Sequence, residues 1–194
     1  MSKSRMEAFS DALFAIIMTI MVLEMKVPHG VELSDLSALL PVFLSYVLSF
    51  VYLGIYWNNH HHMLNVTHHV SGRILWANLH LLFWLSLIPF VSGWMGENRF
   101  APVPTALYGV ILSLAAFAYL LLQREILVLE GAGSTLAKAV GNDWKGRVSP
   151  LLYALGIGLA FFRPWIAGVV YASGALIWLV PDRRIERSVA YTHT

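Results

Sequence analysis

Arg5-Met-Glu-Ala-Phe-Ser-Asp-Ala-Leu-Phe-Ala-Ile-Ile-Met-Thr-Ile-Met-Val-Leu-Glu-Met-Lys-Val-Pro28 is long enough to cross a bilayer, yet Arg5, Glu7, Ser10 and Asp11 occupy its first two turns. A charge inside a membrane helix is expensive, so it signals a functional site or a dedicated partner. The uncharged part, Ala12 to Leu23, is followed at once by Glu24 and Lys26, which suit the far interface. At about 100° per residue, Ile16, Ile20 and Leu23 fall in one narrow apolar stripe. Ala8, Ala12, Ala15 and Thr19 form a neighbouring stripe of small residues, which lets membrane helices approach closely. Asp11 points roughly opposite Ile16. If the carboxylate faces helices of its own subunit, the apolar stripe is free to face something else.

The chain's 194 residues suffice for one domain. Hydrophobic residues make up 58% and charged ones 12%, with a mean hydropathy of +0.65, which fits a multi-span membrane protein. A net charge of +2 is too small to suggest a nucleic-acid partner. There is no cysteine, hence no disulfide frame and no thiol chemistry. Acidic residues interrupt the first apolar region, so it does not read as a cleavable signal peptide.

Six apolar segments follow one another: 6–25, 36–57, 74–95, 101–122, 148–162 and 165–180. With about 20 residues needed to span, the last two are short and are expected to form a tight hairpin. Each segment must be helical, since lipid offers the backbone no hydrogen bonds. The expected fold is therefore an all-α membrane protein, one six-helix domain over 1–194 without an internal repeat. Six spans put both termini on one side. That side holds Lys3, Arg5, Arg73, Arg124, Lys138, Lys145, Arg147, Arg183, Arg184 and Arg187, and the other holds only Lys26, Arg99 and Arg163. The asymmetry places both termini in the cytoplasm. Trp57, Trp76, Trp94, Trp144 and Trp165 lie near segment ends, as an aromatic belt requires. The loop 123–147 begins apolar, so the fourth helix is expected to run past the bilayer until Gly131 and Gly133 end it. The tail 182–187 reads as a basic interfacial anchor.

His60, His61, His62, His68 and His69 flank the cytoplasmic junction of the second and third segments, with His80 further in. Imidazole suits zinc, copper and iron, which raises the alternative of a His-rich, metal-dependent membrane oxidoreductase. No second histidine box or spaced acid completes such a site. A polar helix end, solvated or bonded to the first helix, accounts for the cluster. Imidazole also titrates near neutrality, but nothing here singles out a pH-sensing role. Trp57, Asn58, Asn59 and His60 close the second segment, and Trp76, Asn78 and His80 open the third, at the depth of Ser10 and Asp11. Buried polar groups need partners, so Asp11 is expected to accept hydrogen bonds from Asn58, Asn59, His60, Asn78 or His80, and Asp11→Asn to weaken folding. No P-loop, dinucleotide fingerprint or nucleophile elbow is present, so the chain is not expected to be an enzyme. Nor is there a Thr-Val-Gly-Tyr-Gly filter, which excludes the carbonyl cage of ordinary potassium channels.

The segment Arg5-x-x-x-Phe9-Ser10-Asp11 resembles the signature that opens the first helix of the endolysosomal potassium channel family (transmembrane protein 175 type) and its prokaryotic relatives. Ala15 to Pro28, the Trp57-Asn58-x-His60 end of the second segment and the Leu75-Trp76-x-Asn78-x-His80 start of the third are similar as well. Beyond about residue 90 the likeness rests on the six-span layout. Animal members carry two six-span repeats and dimerise, so the resemblance implies a homotetramer for a single-repeat chain. It also implies a prokaryotic inner membrane, monovalent cations as partners and potassium as the permeant ion, without a bound cofactor or metal. First helices would line a central pore, with Ile16, Ile20 and Leu23 as its constriction and Thr19 beside it. That is the stripe already found by geometry. Glu24 at the outer mouth would concentrate cations or pair with Lys26. The competing readings are ordinary core packing of the stripe, the oxidoreductase above, and a non-conducting structural or sensory membrane protein.

Overall fold

The computed structural model of the chain describes residues 2–131, 133–134, 136–137 and 144–179. Among these, the elements are α1 (Lys3–Leu23), α2 (Leu33–Ser37), α3 (Leu40–Asn65), α4 (Gly72–Ser86), α5 (Ile88–Glu97), α6 (Pro102–Glu130), α7 (Trp144–Ala160) and α8 (Pro164–Leu179), with no strand. Four stretches are long and apolar enough to span a bilayer: α1, α3, α4 with α5 taken together, and α6. The helices α7 and α8 are shorter and apolar. The tail 182–187 lies outside the described residues.

Local chemistry explains where the helices depart from the apolar segments. The second segment was expected from 36. Instead a short capped helix, α2, comes first, with Glu32 and Asp35 forming a reciprocal capping box. The long helix starts only at Leu40, with Pro41 in its first turn, where a missing N–H costs little. At the other end α3 runs on to Asn65 rather than stopping at Trp57. The third segment was expected to be one helix, but it breaks at Leu87. Pro89 stands in the first turn of α5. It has no N–H to offer and its ring crowds the preceding turn, so the α4 ladder cannot continue through it. The helix α6 does pass the apolar segment and reaches Glu130, where Gly131 takes a φ of 85°, a left-handed value that glycine adopts without strain.

The core lies between α1, α3, α4, α5, α6, α7 and α8, with Leu53, Leu81, Leu85, Tyr108, Leu112, Ala115 and Tyr171 fully buried. Tyrosines cross-link it. The Tyr52 hydroxyl donates to the Tyr171 carbonyl at 2.7 Å, and the Tyr171 hydroxyl to the Thr105 carbonyl at 3.3 Å. Ser49 donates to the Tyr108 hydroxyl at 3.1 Å. The α7–α8 hairpin turns through 161–163, and α8 opens on Pro164. Tyr171 fits there because Gly156 on α7 and Gly109 on α6 have no side chain. A Cβ at either position would collide with the Tyr171 ring or hydroxyl. Small residues at such crossings are how membrane helices gain close packing. Gly156→Ala is therefore expected to cost about 1–3 kcal/mol, read as a lower midpoint of thermal unfolding in detergent. Gly158→Ala is the control, since nothing lies within contact of a Cβ there.

Candidate functional site

The helix α1 packs on α3, α4 and α5 and has two unlike faces. Met6, Ser10, Phe14, Ile17 and Met21 are buried, at spacings of four, four, three and four residues that trace one side of a helix. The other side is bare. Ile16 is 56% exposed, Ile20 41% and Leu23 78%, and Phe9 is 47% exposed. Ala8, Ala12, Ala15 and Thr19 are exposed with them. The Thr19 hydroxyl donates to the Ala15 and Ile16 carbonyls at 3.0 and 2.9 Å. Its hydrogen is thus held by the backbone, which leaves the two lone pairs of its oxygen free to accept.

The buried side is held by a polar chain rather than by apolar contact alone. His60 Nε2 and Asn78 Oδ1 are 2.7 Å apart, and Asn78 Nδ2 donates to Ser10 Oγ at 3.0 Å. Ser10 in turn donates to the Met6 carbonyl at 2.8 Å. All three side chains are almost completely buried, and they join α1, α3 and α4 at one level. Phe14 packs against the His60 ring, with centroids 5.8 Å apart.

Asp11 is not at the centre of this chain, contrary to the sequence-based expectation. It is exposed, and its carboxylate accepts from Trp57 Nε1 at 3.0 Å. Adjacent residues on a helix lie about 100° apart, so turning Ser10 inward turns Asp11 towards the rim. There the half-exposed Trp57 supplies the donor. Among the expected donors to Asp11, Asn59 bonds the Ile55 carbonyl at 2.9 Å and His80 accepts from Trp84 Nε1 at 2.8 Å. Asn58 and Trp76 are exposed, as is Arg5, which forms no ion pair among the described residues. Asp11→Asn keeps an acceptor for Trp57 at an exposed site. It is therefore expected to change stability by no more than about 0.5 kcal/mol, measured by thermal unfolding in detergent.

At the far end Lys26 pairs with Glu97 of α5 at 2.7 Å, not with Glu24. Glu97 holds the Lys26 ammonium above its ordinary pKa by hydrogen bonding and attraction. Glu24 is exposed and takes part in no ion pair among the described residues. At the near end Lys3 donates to the Asn65 carbonyl at 3.1 Å, and the Glu130 carboxylate accepts the backbone N–H groups of His68 and His69 at 2.7 and 3.1 Å. The histidines therefore serve different contacts. Among the described residues no three His, Cys, Asp or Glu side chains converge in a way that could hold a metal ion.

Residues 5–89 match the family described as endosomal/lysosomal potassium channel TMEM175. Those residues contain α1 from Arg5 onward, the polar chain and the start of α5. A potassium channel of Chryseobacterium sp. (strain P1-3) is 52% identical over 97% of this chain and 98% of its own length. A potassium channel of Chamaesiphon minutus is 29% identical over 84% of this chain and 86% of its own. A crystal structure of a lysosomal potassium-selective channel TMEM175 homolog from Chamaesiphon minutus superposes with a TM-score of 0.81 at 27% identity, covering 92% of this chain and 96% of that one.

Proposed function

We propose, because this chain belongs to the TMEM175 family, that it is a potassium-permeable cation channel in which α1 helices from four copies line a central pore. The observation that carries the reading is the division of α1 into an anchored face and a bare one. In the single chain Ile16, Ile20 and Leu23 are largely exposed, from 41% to 78%, although the polar chain holds the same helix from behind. That exposure favours copies meeting around an axis over core packing within the subunit.

Four copies of one aliphatic side chain at the same level make a hydrophobic ring. A narrow ring excludes water and blocks ions, and a slightly wider one lets them pass. Ile16, Ile20 and Leu23 form three such rings, and a small rotation of α1 gates them. Preference for potassium over sodium comes from partial dehydration, which is easier for the more weakly hydrated ion. With no oxygen cage the preference is modest. The Thr19 hydroxyl oxygen gives a passing cation one polar contact between rings. Glu24, uncommitted to Lys26, raises cation concentration at the outer mouth. The permeant ion is the only small partner required. The chain sits as a multi-pass protein in the inner membrane with both termini cytoplasmic.

The test is potassium flux into liposomes carrying the purified full-length protein. The reading expects uptake that scales with protein and runs moderately faster for potassium than for sodium. No flux from a correctly assembled tetramer would leave a non-conducting membrane protein.

A further inference from the structure

A second feature lies away from α1. Between the start of α4 and the last third of α6 runs an open groove of about 800 Å³. It is lined by Ser71, Arg73, Trp76, Glu125, Val128 and Leu129, among others. Trp76 is 75% exposed and Val128 70%. Arg73 and Glu125 share the groove, yet neither takes part in a salt bridge or a side-chain hydrogen bond among the described residues. The level is that of a membrane interface. The apolar run of α6 gives way to Arg124 and Glu125 there, and Trp76 is an aromatic residue of the kind that sits among head groups.

We propose that this groove binds a membrane phospholipid whose head carries a primary ammonium beside its phosphate, of the phosphatidylethanolamine type. The occupant must be amphipathic, because apolar side chains lie beside the two charges. It must also be zwitterionic. An anionic head would satisfy Arg73 and be repelled by Glu125, whereas a head with both signs satisfies the two at once. Arg73 donates to the phosphate oxygens, in the planar geometry that suits guanidinium. The ammonium donates to the Glu125 carboxylate. A choline head has the same charges but no N–H to donate. It should be held by Arg73 and only weakly by Glu125. The proposal concerns lipid retention and holds whether or not the protein conducts.

The experiment is native mass spectrometry of the full-length protein offered equal amounts of phosphatidylethanolamine, phosphatidylcholine and phosphatidylglycerol with identical acyl chains. A hydrogen bond between charged groups predicts about a tenfold excess of bound ethanolamine lipid over choline lipid. Glu125→Gln should bring that ratio close to one while lipid is still retained. Arg73→Gln should reduce retention of both. Equal binding of the two lipids by the native chain overturns the proposal, as does a preference that survives Glu125→Gln or strongest binding of the glycerol lipid. If no lipid is retained and Arg73→Gln splits the oligomer, the groove is covered by a second copy of the chain and the proposal also fails.

Discussion

Ile16→Asn is expected to raise potassium flux about tenfold, the change produced by taking ~1.4 kcal/mol off a barrier, and to erase most of the preference over sodium. An amide ring holds water where an isoleucine ring expels it, so ions pass without shedding as much of their own hydration. The adjacent position makes the experiment decisive. Ile16 is 56% exposed and Ile17 only 4%. Ile17→Asn buries an amide in the subunit core, so its effect should be loss of folded protein rather than leak. Tracer flux from liposomes at matched protein content separates the two outcomes. If Ile16→Asn leaves both conductance and selectivity unchanged, the residue lines no pore.

Asn78→Leu is expected to be the most damaging single change to stability outside the apolar core. It leaves the buried His60 ring nitrogen without its partner at 2.7 Å and removes the donor to Ser10. An orphaned buried polar group costs about 1–3 kcal/mol. At ~2–4 °C per kcal/mol for a chain of this size, the melting midpoint in detergent should fall by several degrees. Ser10→Ala removes only one end of the chain and should cost less. Because this chain of bonds joins α1 to α3 and α4, Asn78→Leu should also loosen α1 and raise resting leak in parallel with the loss of stability. A melting midpoint within a degree of the native protein would mean that apolar packing alone holds the helix.

The parts of this architecture that a linear reading captures are those written in periodicity. Ile16, Ile20 and Leu23 recur at helical spacing, and the fold leaves all three exposed. What a linear reading misses depends on direction to within one residue. Ser10 and Asp11 are neighbours, and the general expense of an acid in lipid pointed to Asp11 as the inward group. The fold turns Ser10 inward and satisfies Asp11 from Trp57, a residue that the sequence places at the same depth but that was not among the donors expected for the carboxylate. Apolarity also misplaces helix ends. It fades after Trp57, but no glycine or proline occurs between Asn58 and Ser71, so nothing ends the helix there and α3 continues for about two more turns. Conversely, the third segment stays apolar from Leu81 to Phe90 apart from Ser86, and hydropathy is blind to the proline that divides it at Leu87. The partner of Lys26 was beyond sequence reasoning, because Glu97 lies 71 positions away and meets it only through folding.

The central claim is that the bare side of α1 faces its own copies across water. The chain has no cysteine, so a single Ile20→Cys substitution introduces its only thiol. Potassium flux should then fall when a membrane-impermeant cationic thiol reagent is added, and mild oxidation should join subunits into covalent dimers. Leu176→Cys, 63% exposed on α8, should show neither response. An Ile20→Cys protein that conducts normally, ignores the aqueous reagent and forms no cross-link would contradict the account.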